Sequence, residues 1–222
     1  EIVRCGLGDF NEQNLSNTAW AFATANRAAP ALFDFISAEM VRRGLGDFNA
    51  QDLFNTAWAF AKANRAAPAL FDIISAEVVR QGLDSFNEQA LSNTVWAFAT
   101  AGREAPALLE IISAEVVRRG LNDFNAQDLS NLAWAFAVLN PPSADKLFSM
   151  ASFTTRCAHL ETSLSGSALL QLHQWSLWRE ERGAQWPGLP DSLRQACRNA
   201  FVDKEGQPSQ LQSCLLYTSP SP

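Results

Sequence analysis

The stretch FNAQDLSNLAWAF, Phe124–Phe136, decides how this chain is read. Near-copies stand at Phe10–Phe22 (FNEQNLSNTAWAF), Phe48–Phe60 (FNAQDLFNTAWAF) and Phe86–Phe98 (FNEQALSNTVWAF). Gly6, Gly44, Gly82 and Gly120 each open a copy, 38 residues after the one before, and the register holds from Gly6 to Cys157. A period of this length marks stacked supersecondary units, each too small to bury its own apolar face. The expected fold is therefore all-α, an α-solenoid of tandem 38-residue helix-turn-helix repeats.

Local signals divide each copy into two helices. Asn11 and its equivalents are good N-caps, and Phe10 precedes the cap where a hydrophobic staple onto Leu15 is expected. Asn26, Asn64, Gly102 and Asn140 tolerate the left-handed conformation that ends a helix. Pro30, Pro68 and Pro106 suit the first turn of a second helix, and in the fourth copy Ser143 is expected to cap it instead. Arginines such as Arg42 and Arg43 precede the stopping glycine. First helices are predicted near 12–25, 50–63, 88–101 and 126–139, second helices near 30–43, 68–81, 106–119 and 143–156. Strand signals are absent.

Residues 1–157 thus hold four tandem repeats, counted from residue 6. Residues 158–212 read as a worn fifth copy and a further helical segment, with Trp175 taking the Trp position after three extra residues and a last helix near Asp191–Phe201. Residues 213–222, SCLLYTSPSP, read as a disordered tail whose composition resembles translated linker sequence. The opening EIVRCG matches the end of a second helix, so the chain is expected to begin inside an array.

Composition narrows the chemistry. No apolar run approaches the roughly 18 residues that span a bilayer, so no membrane partner is expected. Cys5, Cys157, Cys197 and Cys214 show no CxxC, and neither they nor His159 and His173 have metal-ligand spacing. No catalytic residue, metal or cofactor is expected. Residues 1–140 carry 16 acidic and 10 basic side chains, and the remainder carries 7 of each. Such a balance argues against strong sequence-independent binding to nucleic acid. The acids recur on the second helix, at Asp34, Glu39, Asp72, Glu77, Glu110 and Glu115.

The candidate surface lies on the first helix. At 100° per residue, Leu15, Ala19, Phe22 and Ala23 share one arc and form the packed stripe. Gln13, Asn17 and Thr24 lie opposite, with Trp20 at the edge. Repeats carry this strip forward as Gln51, Asn55, Lys62; Gln89, Asn93, Thr100; and Gln127, Asn131, Val138. Two accounts of the invariant amides compete. They bond to the next repeat and lock its register, or they face a polymer whose base edges an amide can read. Discrimination needs positions that differ between copies, which are Asn14/Asp52/Ala90/Asp128 and Thr24/Lys62/Thr100/Val138. Trp20, Trp58, Trp96, Trp134 and Trp175 either fill the space between repeats or stack on bases. Arg27, Arg65 and Arg103 recur at the turn between helices, placed for phosphates or for the end of the first helix.

These residues carry a family resemblance. Tandem 38-residue helical pairs with FNxQxLxNxxWAFA resemble the octotricopeptide repeat family of organellar RNA-binding solenoids. The segment LLQLHQWSLWREERGAQWPGLPDSLRQACRNAFVDKEGQPSQLQ is similar to the stretch before the RAP domain in such proteins and in their FAST-kinase-like relatives. The resemblance covers residues 1–212. It implies single-stranded RNA as partner, alone or within a ribonucleoprotein complex. It also implies a mitochondrial or chloroplast location and a part in transcript processing, stability, editing or translation. A protein-binding scaffold is the competing class, and Phe54, standing where other copies have Ser, is a point in its favour.

Overall fold

The computed structural model describes residues 7–205, so the expectations for the opening EIVRCG and for the 213–222 tail lie outside the described residues. Among the described residues every regular element is a helix and no strand occurs. The chain divides into two compact units, Glu1–Gly120 and Leu121–Pro222.

The first unit contains α1 (Glu12–Thr24), α2 (Pro30–Arg43), α3 (Ala50–Lys62), α4 (Pro68–Gln81), α5 (Glu88–Thr100) and α6 (Pro106–Arg119). The first helices pack side by side, α1 on α3 and α3 on α5, and the second helices form another layer, α2 on α4 and α4 on α6. This is the neighbour-on-neighbour packing of an α-solenoid. The Asn11 side chain accepts the Asn14 N–H at 2.8 Å, and Asn49 and Asn87 cap α3 and α5 in the same way. Asn26 and Asn64 take positive φ, 49° and 51°. Beside each, the next residue's N–H reaches back into the helix, Arg27 to the Phe22 carbonyl and Arg65 to Phe60. That is the Schellman closure expected of a left-handed Asn.

Two devices hold the stack together, the first acting between repeats and the second within each one. The Phe33 ring of α2 meets Phe60 of α3 edge-on at 5.1 Å, and Phe71 of α4 meets Phe98 of α5 likewise. Such contacts add about 0.5–1.5 kcal/mol beyond the area they bury. At the end of α2, Arg43 donates to the Leu7 and Phe10 carbonyls at 2.7 and 2.5 Å, pinning the turn that leads into α1. Arg119 does the same for Leu83 and Phe86, and the amide of Gln81 reaches Phe48. Glu39 and Glu115 orient these arginines. The Arg42 guanidinium, with Arg43 beside it, holds the Glu39 carboxyl down at about 2, and Arg118 with Arg119 does the same for Glu115.

The second unit contains α7 (Ala126–Leu139), α8 (Ala144–Phe148), α9 (Ala151–His159), a 3-10 turn (Glu161–Ser163), α10 (Gly166–Glu181) and α11 (Asp191–Glu205). The second helix expected over 143–156 is broken at Ser149–Met150, where Met150 is extended. Five residues on one helix turn about 140°, so a continuous helix would hold Phe148 and Phe153 on different faces. The break brings both rings together at 4.9 Å, and each also meets Trp175. Ser143 does not cap: its backbone is already helical and its buried hydroxyl has no partner. The last helix runs four residues past the expected Phe201.

Trp175 is also reassigned. It is fully buried against Phe148 and Phe153, whereas Trp58, Trp96 and Trp134 are half-exposed and Trp20 is 43% exposed. Counted from the observed cap Ser165, the Trp position of the repeat falls on Gln174 and the Asn position on Gln171. Two extra residues, not three, therefore precede it. Cys157 and Cys197 are free and buried, and burial pushes both thiols up to about 12.

Candidate nucleic-acid interface

Helix α3 shows what the stacking leaves open, because α1 and α5 cover it on two sides. Of its thirteen residues, those not buried are Gln51, Phe54, Asn55, Trp58 and Lys62. Apart from Phe54 they follow the spacing 4, 3, 4, which confines them to an arc of about 60°. An amide, an amide, an indole and an ammonium thus run in line along the helix. On α5 the same line is Gln89, Asn93, Trp96 and Thr100, and on α1 it is Gln13, Asn17, Trp20 and Thr24, all at least partly open to solvent. The row of polar strips expected from the helical wheel is present in this unit.

The two variable positions separate. Asp52, Ala90 and Asp128 are buried, at 4%, 1% and 3% exposure, so they do not line an open surface as the sequence reading placed them. Asn14, in α1, is exposed. Asp52 acts within the stack. One carboxylate oxygen accepts the Ser16 hydroxyl of the preceding repeat at 2.9 Å, and the other accepts the Asn49 N–H at 3.3 Å to complete a capping box. Asp128 completes a capping box with Asn125. Position 24/62/100 is exposed in every copy of the first unit.

The invariant Asn divides between the two accounts. Asn17 is exposed, while Asn55 and Asn93 are half-buried. In the second unit Asn131 is 5% exposed and sits in an amide cluster. Its Oδ1 accepts from Gln127 at 2.8 Å and from Gln171 of α10 at 3.1 Å. The helix-to-helix ladder is present there, made with Gln171, which the sequence reading had not singled out. Counting six residues from the cap Ser165 is the signal that finds it.

The arginines are engaged differently from either expectation. Arg65 donates to Asp34 at 2.6 Å and Arg103 to Asp72 at 2.5 Å, each reaching the second helix of the preceding repeat. Their Nε atoms are occluded without a partner. Arg27 is exposed. The acids expected to form a charged outer face are largely paired, since Glu39, Glu77 and Glu115 also hold arginines. Within the first unit a recess opens between two successive turns, walled by Asn64, Arg65, Thr100 and Arg103. Among the described residues no cluster of His, Cys, Asp and Glu could hold a metal ion, and no helix is long and apolar enough to cross a membrane.

The fold and the strip define an all-α protein of solenoid-like helical repeats with an open polar line on its first helices. Comparison with known families finds no matching family model, and comparison with curated proteins finds no match.

Proposed function

We propose that this chain is a non-catalytic RNA-binding module of helical repeats, acting in organellar RNA metabolism on single-stranded transcripts in a mitochondrion or chloroplast. The observation that carries the reading is the strip on α3. A helix packed on two sides leaves open one line of hydrogen-bonding amides, a half-exposed indole and one exchangeable side chain. Amides suit base edges, and an indole offers a face on which any base can stack. The resemblance to octotricopeptide repeats supports the same reading, including work alongside other proteins of a ribonucleoprotein complex.

Fluorescence anisotropy of the full chain against single-stranded and duplex RNA tests this. Single strands are expected to bind better, with a slope of log affinity on log salt no steeper than about −2, from at most three arginine contacts at about 0.7 each. Equal binding of duplex, or none of single strands, refutes it. One observation favours a protein scaffold as second reading. The second helices expose Val41, Val79 and Val117 at equivalent positions of successive repeats, an apolar row beside charges already paired among themselves.

A further inference from the structure

The structure points to how each repeat of the first unit would tell one base from another, an inference that rests on the RNA-binding reading above. We infer that the half-exposed Trp is a stacking platform, that the Gln and Asn beside it make contacts common to all repeats, and that residue 24/62/100 alone selects the base.

Three observations combine. First, the competing variable position is kept off the strip: Asp52 and Ala90 are closed into the stack, and Asn14, though exposed, stands about 120° from Trp20 around its helix. Second, Trp58 keeps part of its surface open. It is half-buried, although the flanking Ala57, Ala59, Phe60 and Ala61 are buried. Third, helical spacing places Asn55 three residues before Trp58 and Lys62 four residues after it, which makes both its neighbours on the helix surface. A base lying on the indole therefore has an invariant amide on one side and the variable side chain on the other. The repeats present Thr24, Lys62 and Thr100 in turn. A lysine ammonium only donates and suits the O6 and N7 acceptors of guanine, whereas a threonine hydroxyl both donates and accepts. The first and third repeats should share a preference that the second does not.

The test is selection from randomised single-stranded RNA by the full chain, with Lys62→Thr and Trp58→Ala beside it. The natural chain is expected to select a pattern in which the middle position differs from its flanks. Lys62→Thr should convert that middle preference to the flanking one and leave the flanks unchanged. Trp58→Ala should weaken binding about 5- to 150-fold, the range for loss of one stacked base. If Lys62→Thr weakens all sequences alike and shifts no preference, the lysine meets phosphate and the inference is overturned. Unchanged affinity in Trp58→Ala overturns it too. Absence of RNA binding by the natural chain defeats the proposed function along with it, so the two failures are told apart by whether the unmutated chain binds.

Discussion

Substituting Ala90 by Asp should damage this protein, and substituting Phe54 by Ser at the same time should repair much of the damage. In the first repeat junction the Ser16 hydroxyl donates to buried Asp52 at 2.9 Å across α1 and α3. The same two positions one repeat later hold Phe54 and Ala90, so hydroxyl and carboxylate are replaced together by a ring and a methyl. Removing both partners of a buried hydrogen bond is cheap, whereas leaving one alone costs its full desolvation. Ala90→Asp places a carboxylate at a site 1% exposed with no hydroxyl opposite. An uncompensated buried charge costs about 3–5 kcal/mol. Asn87 is already the cap of α5, so the new carboxylate can complete a capping box and recover about 1 kcal/mol, leaving a net loss of about 2–4 kcal/mol. Phe54→Ser alone should cost about 1–3 kcal/mol, because the half-buried ring is lost. In the double substitution the new hydroxyl can meet the new carboxylate, as Ser16 meets Asp52, giving a coupling of about 1.5–3 kcal/mol. Urea unfolding of the four chains, followed by circular dichroism at fixed pH, yields this cycle. Additive single effects, or an Ala90→Asp chain as stable as the natural one, would refute the pairing.

Other outcomes follow from charge. Glu39 and Glu115 have carboxyls held at about 2 by their arginines, below the ordinary 4.5. Their contribution is complete above pH 4.5 and disappears as pH falls towards 2, so Glu39→Gln with Glu115→Gln should flatten the decline of melting temperature across that window. Burial, with Arg198 nearby, lowers the basicity of His173 below its ordinary 6.5, so the folded chain resists a proton that the unfolded chain accepts. Stability should therefore fall as pH drops below about 6.5, and His173→Gln should remove that part of the pH profile. Asp34→Asn with Asp72→Asn releases Arg65 and Arg103, which should raise affinity for single-stranded RNA and steepen the salt slope by up to about 1.4. An unchanged slope in that variant would show that the two ion pairs do not withhold these arginines from phosphate.

Much of this molecule was legible in the residues themselves. Asn at the cap, Pro in the first turn of the second helix and Asn or Gly at its predecessor's end are signals that act within a few bonds, and they delimited α1 to α7 to within about a residue. The helical wheel likewise placed Gln51, Asn55 and Lys62 on one strip, since helix geometry alone sets which residues share a face. Where local signals weakened, in PPSADKLFSMASF, the aromatic cluster around Phe148 took over and broke the expected helix. What the wheel lacks is the neighbour. Asp52 and Asn55 both read as polar and outward, yet burial separates them, because one faces the preceding repeat's Ser16 and the other faces the open strip. The partners of Arg65 and Arg103 are likewise 31 residues back, at Asp34 and Asp72. Periodicity therefore determined the helices and their faces by itself. Tertiary structure alone decided which polar residues the stack consumes, because a hydrogen bond between repeats depends on the distance between helices that no local pattern encodes.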